Sequence, residues 1–356
     1  MSFKPFFVAF IISISLHSQN IPMYVGGYTT GESEGIYQFQ FNTKTGELSE
    51  KKLLTKATNP SYLVLSPKKD FLYTVSEGVD KENSNSGGVT SYRFKENGTL
   101  EKTAKVSSNG KGPCHLGINK KGDKLIVSNY VGGNFSVFPI SDGIIKEAVQ
   151  IVNLNGGKNT AHTHSGQFHK NELFVADLGV NTLEHYRFNK KRYIAQKSIS
   201  MVAKSGPRHF IVTKKRDYIY IINEYGGTIT TLKKQGNSYV RAGKDVSTVK
   251  EGYEGRISCA DIHLSNDEKF IYGTTRGENT IAVFKRNKKD GSIEQIQNIS
   301  THGNWPRNFT LSPKGNYLLI ANKLSSNITV FSVNKKTGKL TYKHEVNSPN
   351  PSCLKF

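Results

Sequence analysis

The sequence predicts an all-β chain folded as a single seven-bladed β-propeller, and three observations carry that expectation. No window beyond the first twenty residues keeps an apolar stripe at helical spacing, while 33 Gly, 17 Tyr and 19 Phe accompany many short apolar runs. One phrase of turn, strand, short turn and strand recurs along 356 residues. Finally, the chain ends on NPSCLKF, which matches only the first strand of that phrase, whereas its early part matches the remainder.

The phrase reads NPSYLVLSPKKDFLYTVSE from Asn59, GPCHLGINKKGDKLIVSNY from Gly112, GPRHFIVTKKRDYIYIINE from Gly206 and WPRNFTLSPKGNYLLIANK from Trp305. Looser copies begin at His162 and Ser258. A third strand follows each copy (GGVTSYRF, GGNFSVFPI, NTLEHYRF, GGTITTLKK, NTIAVFKR, SNITVFSV), then a turn and a weaker fourth strand. Four short antiparallel strands per repeat describe a propeller blade. The six full copies leave IPMYVGGYT and GIYQFQFNTKTGEL near the start and NPSCLKF at the end, so the N- and C-terminal strands pair in a shared seventh blade that closes the ring.

Residues 1–19 read differently. Lys4, an apolar run from Phe6 to Leu16 and small residues at Ser13, Ser15 and Ser18 have the plan of a secretory signal peptide, with cleavage near Ser18 or Gln19. The expected division is a signal peptide over 1–19 and one propeller domain over 20–356. The mature protein is expected in the periplasm or outside the cell, with no stable membrane insertion. Cys114, Cys259 and Cys353 are an odd, widely spaced set that suits small buried residues better than disulfides or zinc ligation.

The net charge of +21 comes mainly from lysines in turn segments such as Lys68-Lys69, Lys120-Lys121, Lys214-Lys215, Lys288-Lys289 and Lys335-Lys336. They are not clustered with aromatics on one element, so no nucleic-acid partner is expected; the charge reads as a solvated basic surface with a general pull on anions, the alternative being a specific acidic partner such as polysaccharide, membrane headgroups or a phosphorylated substrate.

Aligning the blades shows what occupies one position seven times. The start of the innermost strand carries Tyr62, His115, His164, His209, Asp261, Asn308 and Cys353, preceded by Ser61, Cys114, Thr163, Arg208, Ala260, Arg307 and Ser352. The residue after the second strand is Glu77, Tyr130, Leu178, Glu224, Arg276, Lys323 or Tyr28. Both sets converge on the central channel, and His, Arg, Glu and Lys concentrated there exceed what packing asks for. The stretch Gly31-Glu32-Ser33-Glu34-Gly35 fits G-x-S-x-G but joins two strands, so it is a loop rather than a nucleophile elbow. His162 and His164 have no third ligand nearby, and the Gly-Gly pairs recur as turns.

With YVGGYT (24–29), NPSYLVLSP (59–67), GPCHLGINKKGDKLIVSNYVGG (112–133), HTHS and FVADLG (162–179), GPRHF and INE (206–224) and PRNFTLSPKGNYLLIAN (306–322), the sequence resembles the lactonase-type seven-bladed propellers. That family includes bacterial propeller 6-phosphogluconolactonases and the fungal carboxymuconate lactonizing enzyme. The resemblance spans essentially the whole mature chain in motif order. It implies a site of one His, two Arg and one Glu, here His164, Arg208, Arg276 and Glu224. At Thr274-Thr275-Arg276 the chain departs from an expected Ser-Asn before the Arg.

The implied activity is hydrolysis of a lactone, an anionic or sugar lactone in particular, needing neither cofactor, metal nor covalent nucleophile. Glu224 or His164 would act as general base, and the two arginines would hold the developing oxyanion or a substrate anion. His209, Arg307, His115 and Glu77 are substrate-binding candidates. A lactonizing cyclase or isomerase, and a non-catalytic propeller binding anionic ligands, are the alternatives. Nothing in the sequence gives the oligomeric state.

Overall fold

The computed structural model describes residues 19–49, 51–78, 87–156 and 160–356; the signal-peptide reading falls on residues 1–18, outside them, except for Gln19. Every described element is a strand or a short bridge, and the strands form seven antiparallel sheets. Counting blades from Asn59, blade 5 shows the unit: Cys259–Leu264, Phe270–Thr275, Thr280–Arg286 and Ile293–Ser300, paired in that order. Blade 1 opens on Leu63–Leu65, blade 2 on Pro113–Ile118, blade 3 on Thr163–His169, blade 4 on Pro207–Val212 and blade 6 on Pro306–Leu311. In blades 2, 3 and 4 the outer edge is built from two short strands in place of one.

Blade 7 is shared by the chain ends. Pro351–Lys355 pairs with Asn20–Gly27, which continues to Gly35–Asn42 and Lys52–Lys56. The closing ladder matches Val25 with Leu354 and Gly26 with Cys353. Leu354 packs with Met23, Phe39 and, from blade 6, Leu319 and Ile328. Burying such a leucine contributes about 2 kcal/mol, so ring closure rests on apolar contact as well as on the ladder.

The second strands explain why the apolar runs are continuous rather than alternating. Each is covered on both faces by neighbouring blades, and all six residues of Tyr218–Asn223 are buried. A tether recurs there: Tyr73, Tyr220 and Tyr272, each third in its second strand, donate from Oη to the carbonyls of Gly143, Gly291 and Gly338 in the outer turn of the next blade (2.7, 2.8 and 3.1 Å). Those turns need glycine: at Gly291 φ is +79° and a Cβ would lie 2.2 Å from the Tyr218 ring.

Candidate active site

The site begins with a backbone irregularity repeated around the ring. The N–H of the residue after each second strand donates back to the chain just ahead of the first strand. Glu77 reaches Asn59 O, Tyr130 Gly112 O, Leu178 His162 O, Glu224 Gly206 O, Arg276 Ser258 O, Lys323 Trp305 O and Tyr28 Asn350 O, at 2.7 to 3.2 Å. All seven residues expected at that position therefore share one local geometry. One residue further into the first strand the ladder slips. Pro207 faces Asn223 and His209 faces Ile222, leaving Arg208 as the extra residue. Cys114, His164 and Arg307 are the extra residues of blades 2, 3 and 6. Such a bulge re-aims one side chain.

This register corrects one expectation. His164 occupies the place of Arg208 and Arg307, while Ser165, not His164, matches His115 and His209. Blade 3 closes its first hairpin at His169 and Glu172 through only Lys170-Asn171, with Lys170 at φ +59°. Blade 4 keeps four residues (214–217) between Thr213 and Tyr218, so blade 3 is two residues shorter and the sequence match sets His164 one place off.

Three of the four principal residues meet, and His164 reaches them through the His209 ring. Glu224 Oε2 lies 2.8 Å from Arg276 Nη2 and 3.0 Å from Arg208 Nε, the latter an ion pair off the line of a hydrogen bond. Arg208 is 1% exposed; its Nη1 donates to Ala260 O and, at 3.4 Å, to His209 Nε2. Arg276 donates to the carbonyls of Ser258 and Cys259 and lies over the Trp305 ring. His164 is 5% exposed, its ring 5.1 Å from that of His209 and edge-on to Tyr130, and its Nδ1 has no partner.

The candidate binding residues lie around this group. Arg307 Nη2 is 3.7 Å from Glu77 Oε2, which also accepts from Tyr28 Oη at 2.8 Å and from Ser61 Oγ. Lys323 and Arg307 both stand over the Tyr28 ring. His115 lies deeper, 4.3 Å from the Tyr62 ring and 5.3 Å from His209. His209 Nδ1 is 2.7 Å from Asp261 Oδ1, and the other Asp261 oxygen meets His263 and Asn308.

Burial, then the charges of Arg208, His209 and Arg307, hold His164 well below the usual histidine pKa, so it is neutral at pH 7. Burial and Arg208 bring His209 down to about 4. For Glu224, burial acts upward but is outweighed by Arg276 and Arg208, leaving its pKa lowered and the carboxylate ionised. The mouth thus joins a neutral imidazole, whose buried Nδ1 has no hydrogen-bond partner, to two guanidiniums fixed by a carboxylate.

The sequence family described as "Lactonase, 7-bladed beta-propeller" matches residues 22–356. The chain belongs to this family. It is 31% identical over 344 residues to a 6-phosphogluconolactonase of Bacillus subtilis, covering 94% of this chain and 97% of that one. It is 33% identical over 337 residues to a 6-phosphogluconolactonase of Formosa agariphila, covering 89% and 94%. A periplasmic gluconolactonase of Pseudomonas aeruginosa superposes with a TM-score of 0.87 at 27% identity, covering 94% and 98%.

In this lactonase-family chain, three groups escaped the candidate set. Asp261 stood on the ring alignment, yet its partnership with His209 crosses from blade 4 to blade 5 and left no local signal. Trp305 under Arg276, and Lys355 over Tyr62, also join different blades. The cysteines are free and buried, as expected.

Proposed function

We propose that the protein opens a sugar lactone by direct attack of water at this channel mouth. His164 accepts a proton from the attacking water, whose oxygen bonds to the carbonyl carbon. The carbonyl oxygen becomes negative beside Arg208 and Arg276. As the ring C–O bond breaks, His164 returns the proton to the departing ring oxygen, giving a hydroxy acid. The observation that best supports this reading is the placing of a neutral His164 imidazole beside an Arg208–Glu224–Arg276 clamp. Glu224 serves the clamp rather than the proton, because its lowered pKa and two guanidinium partners leave it a weak base. The closely similar chains named 6-phosphogluconolactonase support the same chemistry.

Among the described residues, Arg208, Arg276, Arg307 and Lys323 face Glu224 and Glu77 at the mouth. That surplus of positive charge favours a lactone bearing an anionic group. Export, supported by Lys4 and the apolar run from Phe6 to Leu16, favours instead an unphosphorylated sugar lactone as the available substrate. Hydrolysis of 6-phosphogluconolactone and of gluconolactone by the purified protein tests both. Acceleration of at least one is expected, and the higher kcat/KM assigns the substrate. Failure to accelerate either overturns the reading. Terminal sequencing of protein recovered outside the cytoplasm should begin near Gln19; an intact start at Met1 overturns export with cleavage.

A further inference from the structure

The chain's positive charge is distributed by face, and the topology makes this visible. In every blade the loop after the second strand and the link to the next blade lie at the mouth, while the first-to-second turn and the outer turn lie at the opposite end. All eight Lys-Lys pairs of the sequence stand at that opposite end. Lys68-Lys69, Lys120-Lys121 and Lys214-Lys215 fill first-to-second turns, and Lys190-Lys191, Lys288-Lys289 and Lys335-Lys336 fill outer turns; all twelve residues are exposed. Lys51-Lys52 and Lys233-Lys234 flank two more outer turns. The described mouth-side connections differ: exposed Glu32, Glu34, Glu251 and Glu254 offset exposed Lys111, Lys204, Lys250 and Arg256. A charge serving only solubility has no reason to choose a side.

We propose that the face opposite the channel mouth docks on an anionic lipid bilayer surface, holding the mouth toward solvent. Three features select this partner. The eight lysine pairs are spread over all seven blades around a ring, so a flat surface meets them together, whereas a linear polyanion follows one path across them. Lysine is a hydrated point charge suited to diffuse attraction by headgroups, not to the bidentate reading of one group. No aromatic side chain stands in these turns, which lack both the stacking platforms of a nucleic-acid surface and the apolar residues that would enter the hydrocarbon. The turns are also held in place: Lys69 and Lys190 occupy left-handed turn positions, and Lys214 N donates to Glu268 of the neighbouring blade.

Sedimentation of the purified protein with vesicles tests the proposal. Vesicles of phosphatidylcholine with about a third phosphatidylglycerol should carry it down at least tenfold more than phosphatidylcholine alone, with release at about 0.5 M salt. Lys120→Glu, Lys214→Glu, Lys288→Glu and Lys335→Glu combined should abolish binding with the melting temperature kept. Lys111→Glu, Lys204→Glu and Lys250→Glu combined should leave binding in place. Equal partition onto neutral vesicles, or equal loss in both variants, overturns it. So does retention on soluble heparin without any vesicle binding, which would assign the face to an anionic polysaccharide.

Discussion

At the level of single residues, the channel mouth divides labour between neutral and charged groups. His164 stays neutral because burial and nearby cations oppose its protonation, and in the proposed reaction this keeps its lone pair available. Its protonation would stop the reaction, so the acid limb of kcat/KM is expected below pH 6.5, with a flat profile from there to neutrality. Arg276→Gln removes one of the depressing cations and should move that limb to higher pH; a limb at or above the ordinary histidine value in the unaltered protein would count against His164. Arg208→Ala and Glu224→Gln should each lower kcat/KM by about 10²- to 10³-fold, the scale of losing a preorganised oxyanion donor or its support. Changes under threefold in both would dismiss this site.

Secondary-structure elements carry the next set of consequences. The bulge that re-aims Arg208, His164 and Arg307 lets two successive residues of one strand, Arg208 and His209, come together at the proposed site. Sequence alignment found the blades, the shared seventh sheet and every residue after a second strand, because these follow from periodic apolar runs and turn residues. It misplaced His164 by one because blade 3 turns in two residues, and it passed over Asp261 and Trp305 because their partners come from other strands. Contacts between blades have no period to betray them. The Tyr220 tether offers a test: Tyr220→Phe leaves the Gly291 carbonyl without its donor and should cost about 1–2 kcal/mol in chemical denaturation, with activity kept.

For the molecule as a whole, closure and burial set the conditions of stability. Removing residues 351–356 deletes the strand that joins the chain ends and leaves Met23, Phe39 and Leu319 partly uncovered. Loss of cooperative unfolding is expected, read by circular dichroism during heating; an unchanged melting temperature would show that the ring holds without its final strand. His115, His164, His169 and His209 all have lowered pKa values, mainly through burial. The unfolded chain therefore takes up protons first as pH falls through about 6.5. Stability drops from there until the folded pKa values are reached, about 4 for His169 and His209, each group contributing up to about 1.4 kcal/mol per pH unit. Melting temperatures measured from pH 7 to pH 5 should fall steadily.

The shared seventh blade also bears on how the gene could be rearranged. Tyr24 pairs with Lys355, and Gln19 and Phe356 border the same crevice, so a linker of a few residues could fuse the original ends. Fresh ends could then be opened in an exposed outer turn such as Lys335-Lys336, giving a circular permutant in which one continuous segment supplies the whole of that blade. Such a permutant should retain its catalysis, since no group at the channel mouth depends on where translation starts.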